Sequence, residues 1–303
     1  MSATAAACLP SPDNIDSSRC FIPENLTPLS YTAIYRELDA HHRLRYNQLQ
    51  ALCFNEQIIF FETEVGTGVM KALLRETWPA GFAGKLQQFW QDEVRHSAMF
   101  RALNQAGAPD LYARGDFHFI RIAPPAMALL RWATRNPRLF PLFIWMVLLQ
   151  EERSLYYSSE YLRHAARVEP RFVATNRAHM VDEAGHVRCD LELLDQLWPQ
   201  IGPRLRRINA SLLGWMVREF VSGPKRGQLQ VVHALLAEFP ELRSHEARIK
   251  QQLRALDHDP DYQLTLYSRK IAPRSFGRFD LWPEFHVLER AMPGYRHAAG
   301  RTA

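Results

Sequence analysis

The chain has 303 residues, of which 47% are hydrophobic and 23% are charged, so it can bury one large core. Its net charge of +5 comes from Arg and Lys residues scattered among acidic ones, which argues against a nucleic-acid partner. The N-terminus lacks the pattern of a signal peptide, and the four cysteines have neither metal-like nor disulfide-like spacing. We therefore expect a cytoplasmic protein.

Most of the chain has the three- and four-residue apolar spacing of amphipathic helices. The first 25 residues are rich in Ala, Ser and Pro, which predicts a flexible N-terminal segment at 1–25 and a single domain at 26–303. Strand-like alternation is hard to find, so the predicted fold class is all-α. The longest apolar run, residues 139–149, is too short to span a bilayer, so no membrane partner is expected. The predicted helical stretches are 41–76, 83–106, 124–168, 171–198, 205–221 and 226–257.

Two Glu-x-x-His motifs lie in these stretches, and each is preceded by Asp. They are "DEVRH", which begins at Asp92, and "DEAGH", which begins at Asp182. Glu93 and Glu183 are 183 − 93 = 90 residues apart, so the motifs look like corresponding parts of two helical hairpins. Glu and His three residues apart share one helix face. Each motif therefore offers two convergent donor atoms.

The same offset of 90 residues selects one carboxylate on each partner helix. Subtracting 90 from Glu152 gives Glu62, whereas subtracting 90 from Glu151 gives Phe61. The selected Glu then lies 31 residues before the Glu of the motif in both hairpins (93 − 62 and 183 − 152). A span of this length can run along one helix, turn, and return on an antiparallel neighbour. The predicted ligands are Glu62, Glu93, His96, Glu152, Glu183 and His186.

Two such hairpins predict a ferritin-like four-helix bundle core, with additional helices, around a carboxylate-bridged dinuclear centre. Four carboxylates and two neutral imidazoles favour iron or manganese, and four negative charges balance two divalent ions. We predict two iron ions (Fe²⁺/Fe³⁺), with dioxygen as the co-substrate. Asp92 and Asp182 are predicted to accept a hydrogen bond from a ligand imidazole on the other hairpin.

A third imidazole, His179, lies one helical turn before Glu183 and on the same stripe as His186. Its counterpart 90 residues earlier is Phe89, so His179 breaks the internal symmetry. It would give one metal position an added neutral ligand.

The segments that contain these residues resemble those of the p-aminobenzoate N-oxygenase family. "NEQIIFFE", "DEVRH", "EERSLYY" and "HMVDEAGH" look like that family's four ligand segments in the same order, over roughly residues 45 to 200. The resemblance implies seven iron ligands, with His179 at the place of the family's extra histidine. It also implies a monooxygenase that activates dioxygen and oxidises an amine nitrogen to a hydroxylamine, or further to nitroso or nitro products.

Substrate and partners follow from this resemblance as expectations. We expect a small-molecule amine or a carrier-bound aminoacyl substrate, a role in secondary-metabolite biosynthesis, and a homodimer. The chain has no Gly-rich dinucleotide loop after a strand, so an external reductase or electron donor is expected. Arg269 and Arg274 are candidates for binding a substrate carboxylate, although a surface role is the more frequent one for arginine.

Two other functions remain open for the same ligand set. One is a diiron enzyme that hydroxylates carbon or desaturates a free or carrier-bound substrate. The other is ferritin-like iron storage, which is less favoured because storage bundles are much shorter chains. A group of aromatic residues near the motifs is expected to pack in the core without a role in the chemistry: Phe60, Phe61, Phe89, Trp90, Tyr156 and Tyr157.

Overall fold

The structure is a computed structural model that describes residues 15–79, 81–220 and 226–295. Thirteen α-helices occur in these ranges, and no strand does. The predicted all-α fold class is confirmed. In chain order the helices are α1 Ala33–Glu37, α2 Ala40–Phe60, α3 Thr67–Leu73, α4 Phe82–Gly107, α5 Pro109–Tyr112, α6 Pro124–Thr134, α7 Leu142–Arg163, α8 Pro170–Leu197, α9 Pro203–Phe220, α10 Arg226–Glu238, α11 Glu246–Ala255, α12 Pro260–Leu266 and α13 Pro273–Phe279.

Four long helices, α2, α4, α7 and α8, form the bundle that carries the motifs. Helix α2 packs on α4, α4 packs on α8, and α8 packs along α7. Capping residues define where two of them begin: Asp39 accepts a hydrogen bond from the His42 N–H at the start of α2, and Glu169 accepts from the Arg171 N–H at the start of α8. These caps satisfy backbone donors that a helix leaves unpaired at its N-terminus.

Prolines divide two of the predicted helical stretches. The stretch 124–168 is two helices, α6 and α7, because Pro137 and Pro141 lie between them and a proline cannot continue the hydrogen bonding of a helix. Pro240 separates α10 from α11 within the predicted stretch 226–257 for the same reason. After α8, helices α9 and α13 pack on α7, where Trp145, Trp198 and Phe285 form an aromatic cluster, whereas α10 packs on α2 and α11 packs on α1.

A π-helical turn at Phe61–Gly66 joins α2 to α3 within the predicted stretch 41–76. Such turns insert an extra residue into a helix and occur frequently at functional sites. A Cβ atom at Gly66 would lie only 2.9 Å from Oε2 of Glu93. Glycine at this position therefore lets the carboxylate of Glu93 approach the backbone of the turn that carries Glu62.

The structure corrects the predicted extent of the N-terminal segment. Phe21 and Ile22 are buried, and their backbone N–H groups donate to Oδ1 of Asn47 at 2.8 and 3.2 Å. Phe21 also stacks on Phe172 of α8. Residues 21–23 are thus packed on the bundle through their apolar side chains, whereas residues 16–18 and 24–25 are exposed. Residues 1–14 lie outside the described residues.

None of the described helices combines the length and the apolar character that crossing a bilayer requires.

Candidate metal centre

Six of the seven predicted ligand side chains meet in the centre of the bundle. Their donor atoms form two overlapping groups, each within 4.8 Å, and His96 belongs to both. Every one of these side chains is buried. The first group contains Glu93, His96, Glu183 and His186, and the second contains Glu62, His96 and His179.

The carboxylates of Glu93 and Glu183 lie between the imidazoles. Oε1 of Glu183 is 2.8 Å from Nε2 of His179, 3.5 Å from Nδ1 of His96 and 3.6 Å from Nδ1 of His186. Oε1 of Glu93 is 3.9 Å from Nδ1 of His96 and 3.4 Å from Nδ1 of His186. A carboxylate placed between two groups of donors can bridge two cations.

Most donor atoms of the cluster lack a hydrogen-bond partner, as expected for atoms that bind a metal ion. Both carboxylate oxygens of Glu93 and of Glu183 are buried without an aligned hydrogen bond, as are Oε1 of Glu62 and Nδ1 of His96 and His186. Each unsatisfied buried polar group costs roughly 1–3 kcal/mol. Divalent cations would satisfy these lone pairs together. Because the donors are carboxylate oxygens and imidazole nitrogens, they suit iron or manganese.

Glu152 is the predicted ligand that does not join the cluster, and the expectation that it faces the motifs is wrong. Its Oε1 accepts a hydrogen bond from the Arg274 N–H at 2.8 Å, and its Oε2 accepts from the N–H and the Oγ–H of Ser275 at 2.7 and 2.6 Å. These donors belong to the first turn of α13. Glu152 therefore caps α13 on the outer side of α7.

Glu151, the residue before Glu152, is the glutamate of α7 that approaches the cluster. Its Oε2 lies 3.5 Å from Nδ1 of His186, and its charge raises the pKa values of Glu62 and Glu93 in addition to the larger effect of burial. Adjacent residues on an α-helix point about 100° apart. An error of one residue in the register therefore moves a side chain from the cluster to the face that contacts α13.

The uniform offset of 90 residues fails because the two hairpins are built differently. The first contains the π-helical turn and an eight-residue connection at 74–81, whereas the connection of the second, at 164–169, has six residues. Glu62 to Glu93 consequently spans 31 residues, but Glu151 to Glu183 spans 32. The offset holds for the two motifs on α4 and α8, and it does not extend to α7.

Asp92 and Asp182 lie behind the imidazoles, each beside a histidine of the other hairpin. Oδ2 of Asp182 is 3.1 Å from Nε2 of His96, and Oδ2 of Asp92 is 3.5 Å from Nε2 of His186. A proton on each Nε2 leaves Nδ1 with a lone pair that faces the cluster. Each aspartate thus lies beside a histidine of the other hairpin, and the hydrogen bond that the sequence predicts is present between Asp182 and His96 but not between Asp92 and His186.

His179 enters the cluster from one helical turn earlier on α8. Its Nε2 is 3.3 Å from Oε1 of Glu62, and its Nδ1 is 3.1 Å from Oγ of Ser154. Burial, together with the nearby imidazoles of His96 and His186, holds the pKa of His179 well below its ordinary value. His179 is therefore a neutral imidazole, as a metal ligand must be.

Asp190 extends the ligand stripe of α8 and was missed in the sequence. It lies four residues after His186 and seven after Glu183, a spacing that keeps it on the same helix face. Its side chain is fully buried, and neither oxygen has a hydrogen-bond partner. Burial, and then the charge of Glu151, raises its pKa well above the ordinary value.

The other candidates lie away from the cluster, apart from one aromatic ring. Arg269 and Arg274 are exposed, and Arg269 pairs with Asp280 at 2.8 Å. Phe89 stacks on the ring of His186 with 3.9 Å between the ring centroids, so the position on α4 that corresponds to His179 packs against a ligand imidazole and offers no donor atom.

A family model described as p-aminobenzoate N-oxygenase AurF matches residues 10–255. The match spans α2, α4, α7 and α8, and so includes the entire cluster. A search of curated proteins found no match to the chain.

Replacing the two adjacent glutamates one at a time tests which of them faces the metal centre. Glu151→Gln should lower iron affinity about 10-fold or more, as loss of a metal ligand or its support does. Glu152→Gln should retain iron but unfold at lower temperature, because the hydrogen bonds to α13 weaken. Iron per chain and thermal unfolding should be measured on both. Loss of iron only in Glu152→Gln would restore the assignment made from the sequence.

Asp190→Asn should stabilise the metal-free protein near neutral pH by about 1–3 kcal/mol. A carboxyl whose pKa is raised by folding costs no stability below its unfolded pKa, and it destabilises the fold as pH rises toward its folded pKa. The gain in the asparagine variant should therefore disappear near pH 4. Denaturant unfolding of both proteins across this pH range measures the difference. An equal difference at all pH values would show that ionisation of Asp190 is not its cause.

Proposed function

The chain belongs to the p-aminobenzoate N-oxygenase family, and we propose that it oxidises an amine nitrogen with dioxygen at two iron ions in the bundle core. The observation that carries this proposal is the third imidazole. Nε2 of His179 lies 3.3 Å from Oε1 of Glu62 and 2.8 Å from Oε1 of Glu183, which is the glutamate of the second Glu-x-x-His motif. A purely symmetric bundle would offer two imidazoles only.

Seven side chains would hold the two ions. Four are carboxylates, whose charges balance two divalent cations, and three are neutral imidazoles. Glu93 and Glu183 lie nearest the centre of the set, since Oε1 of each is within 4 Å of two or more of the imidazoles. The proposed ligands are Glu62, Glu93, His96, Glu151, His179, Glu183 and His186.

Polar residues around the cluster fix how the ligands face it. Oγ–H of Ser97 donates to Oε2 of Glu62 at 2.9 Å, which leaves Oε1 for a metal. With Nε2 of His179 as the ligand atom, its Nδ1–H can donate to Oγ of Ser154. When bound, the two iron ions would activate dioxygen and pass electrons from the reductant to it. The protein would supply orientation and a water-poor surrounding.

We propose that Arg153 binds an anionic group of the substrate. It lies on α7 two residues after Glu151, and its buried Nε has no hydrogen-bond partner. The guanidinium donates to the Tyr157 hydroxyl at 2.9 Å and lies 5.7 Å from the ring centre of Tyr267. Within the described residues no carboxylate comes within ion-pair distance of it. Because buried charges are normally paired, a ligand carboxylate is a fitting counter-ion.

Aromatic rings near Arg153 complete a surface suited to an aryl amine. Tyr157 stacks on Phe54 of α2 with 5.1 Å between the ring centroids, at the seam between α2 and α7. Glu62 and Glu151 project from the same two helices toward the cluster. We propose that these rings contact the aryl group of a substrate whose carboxylate pairs with Arg153.

The electron donor, the assembly and the pathway also remain proposals. We propose an external reductase, because the family match accounts for most of the chain and the described residues contain no dinucleotide-binding sheet. A homodimer is supported by exposed apolar residues on α9, which include Ile208, Trp215 and Phe220. We place the reaction in secondary-metabolite biosynthesis, with a free or carrier-bound amine as the substrate.

The proposed reaction predicts a specific product. Ferrous protein, a chemical reductant and dioxygen, incubated with 4-aminobenzoate, should yield the hydroxylamine or its nitroso or nitro successor. Mass spectrometry with ¹⁸O₂ should show the label on nitrogen. Glu93→Ala should abolish both iron binding and product, since a ligand at the centre of the cluster is removed. A product labelled on carbon would favour the hydroxylase alternative, and iron taken up without turnover would favour storage.

Arg153→Gln should raise KM for 4-aminobenzoate by about 10–100-fold, the loss expected for one charge-assisted hydrogen bond. KM for aniline, which lacks the carboxylate, should not change. Steady-state kinetics on both amines make the comparison. Arg163→Gln, at the exposed end of the same helix, is the matched control and should leave both values unchanged. Equal losses for the two amines would contradict a role in carboxylate binding.

A further inference from the structure

Arg95 joins the two aspartates that stand behind the metal-facing histidines. Its Nη2 lies 2.7 Å from Oδ1 of Asp92 and 2.7 Å from Oδ2 of Asp182. Asp92 belongs to the motif on α4, whereas Asp182 belongs to the motif on α8. One guanidinium nitrogen therefore links the two hairpins directly outside the cluster.

Each aspartate lies behind a different histidine of the metal centre. Oδ2 of Asp182 is 3.1 Å from Nε2 of His96, which belongs to both groups of donor atoms, whereas Oδ2 of Asp92 is 3.5 Å from Nε2 of His186, which belongs to the first group. Rotation of either carboxylate would move its charge away from the imidazole in front of it. A residue that holds both carboxylates therefore acts on both histidines.

The internal duplication leaves Arg95 without a counterpart. The motif on α4 reads "DEVRH", and the motif on α8 reads "DEAGH", so Gly185 stands 90 residues after Arg95. Gly185, Asp92, Asp182 and His186 line a cavity of about 650 Å³ between the two helices. Arg95 is the one Arg or Lys that reaches either aspartate within ion-pair distance, among the residues the structure describes.

The positions of the Asp92 and Asp182 carboxylates depend on the charge of Arg95, with which both of them pair. Without Arg95, Asp92 and Asp182 would repel each other across the gap that Gly185 leaves open. Gln88 would still donate to Oδ1 of Asp92 at 2.9 Å, but it carries no charge. His96 would then lose the acceptor that orients it, and His186 would lose the carboxylate beside its Nε2. The partners of a ligand histidine set its ring orientation and its basicity.

We propose that Arg95 is a positioning residue that sets the affinity of both metal positions by holding Asp92 and Asp182 against His186 and His96. It rests on the proposed metal centre but not on the reaction, because metal binding is measured without a substrate. Arg95 itself touches neither the ligand atoms nor the amine. Its side chain is 48% exposed, so its loss should perturb folding little.

Anaerobic titration of the full-length protein with Fe²⁺, in competition with a chromogenic chelator, tests this inference. Arg95→Gln should weaken binding of both ions by about 10–100-fold. The iron affinity of Arg95→Lys should lie between those of wild type and Arg95→Gln. An ammonium keeps the positive charge but lacks the planar set of N–H donors of a guanidinium. Lys85→Gln removes an exposed ion pair between Lys85 of α4 and Glu192 of α8. This variant should bind iron as wild type does.

Placing an arginine at position 185, which corresponds to position 95 in the second motif, supplies a second measurement. The double variant Arg95→Gln, Gly185→Arg should recover part of the lost affinity, since space for a Cβ is free at Gly185 apart from Nη2 of Arg188 at 3.9 Å. Circular dichroism melting of each apoprotein separates affinity from folding. The inference would be overturned if Arg95→Gln bound both ions with wild-type affinity. If Arg95→Gln does not fold, wild-type affinity in Arg95→Lys would overturn it instead. Weak iron binding in wild type itself would instead contradict the metal centre.

Discussion

Four carboxylates and three imidazoles enclosed by four helices impose the constraint on which the rest of the structure depends. Buried carboxylates repel one another, and each lacks the water that would stabilise its charge. Burial therefore raises the pKa values of Glu62 and Glu93, whereas His186, held by Asp92 and Glu151 against the opposing effect of burial, has a pKa raised to about 10. Two divalent cations would replace these protons and satisfy the same oxygens and nitrogens.

The surrounding fold places the donors at the required distances by several local devices. The π-helical turn at Phe61–Gly66 carries Glu62, and the absence of a side chain at Gly66 leaves room for Glu93. On the outer side, Asp182 accepts a hydrogen bond from Nε2 of His96, and the carboxylate of Asp92 lies 3.5 Å from Nε2 of His186. The centre thus depends on contacts between hairpins, and no single helix could assemble it.

The parts of the site that could be predicted from the sequence are those fixed within one helix. Spacings of three and four residues on α8 place His179, Glu183 and His186 on one face whatever the helix packs against. The same spacing continues to Asp190, so this residue was also within reach of the sequence. The all-α fold class and the family follow from similarly local patterns.

The choice between Glu151 and Glu152 could not be made in this way. Both are buried on α7, one toward the bundle and one toward α13, and their faces are decided by how α7 is rotated against a segment beyond residue 200. Similarly, the sequence does not reveal that Arg95 reaches both Asp92 and Asp182, because this contact joins residues of two hairpins. Tertiary packing therefore decides which glutamate of α7 faces the cluster and which aspartates Arg95 contacts, and the uniform offset of 90 residues does not.

Crystals of the iron-loaded protein, measured at the iron absorption edge, test the central claim most directly. The account predicts two anomalous peaks among α2, α4, α7 and α8, with carboxylate oxygens of Glu151 and the three imidazoles of His96, His179 and His186 at bonding distance. A single peak, peaks outside this bundle core, or Glu152 in place of Glu151 at the metal would contradict it.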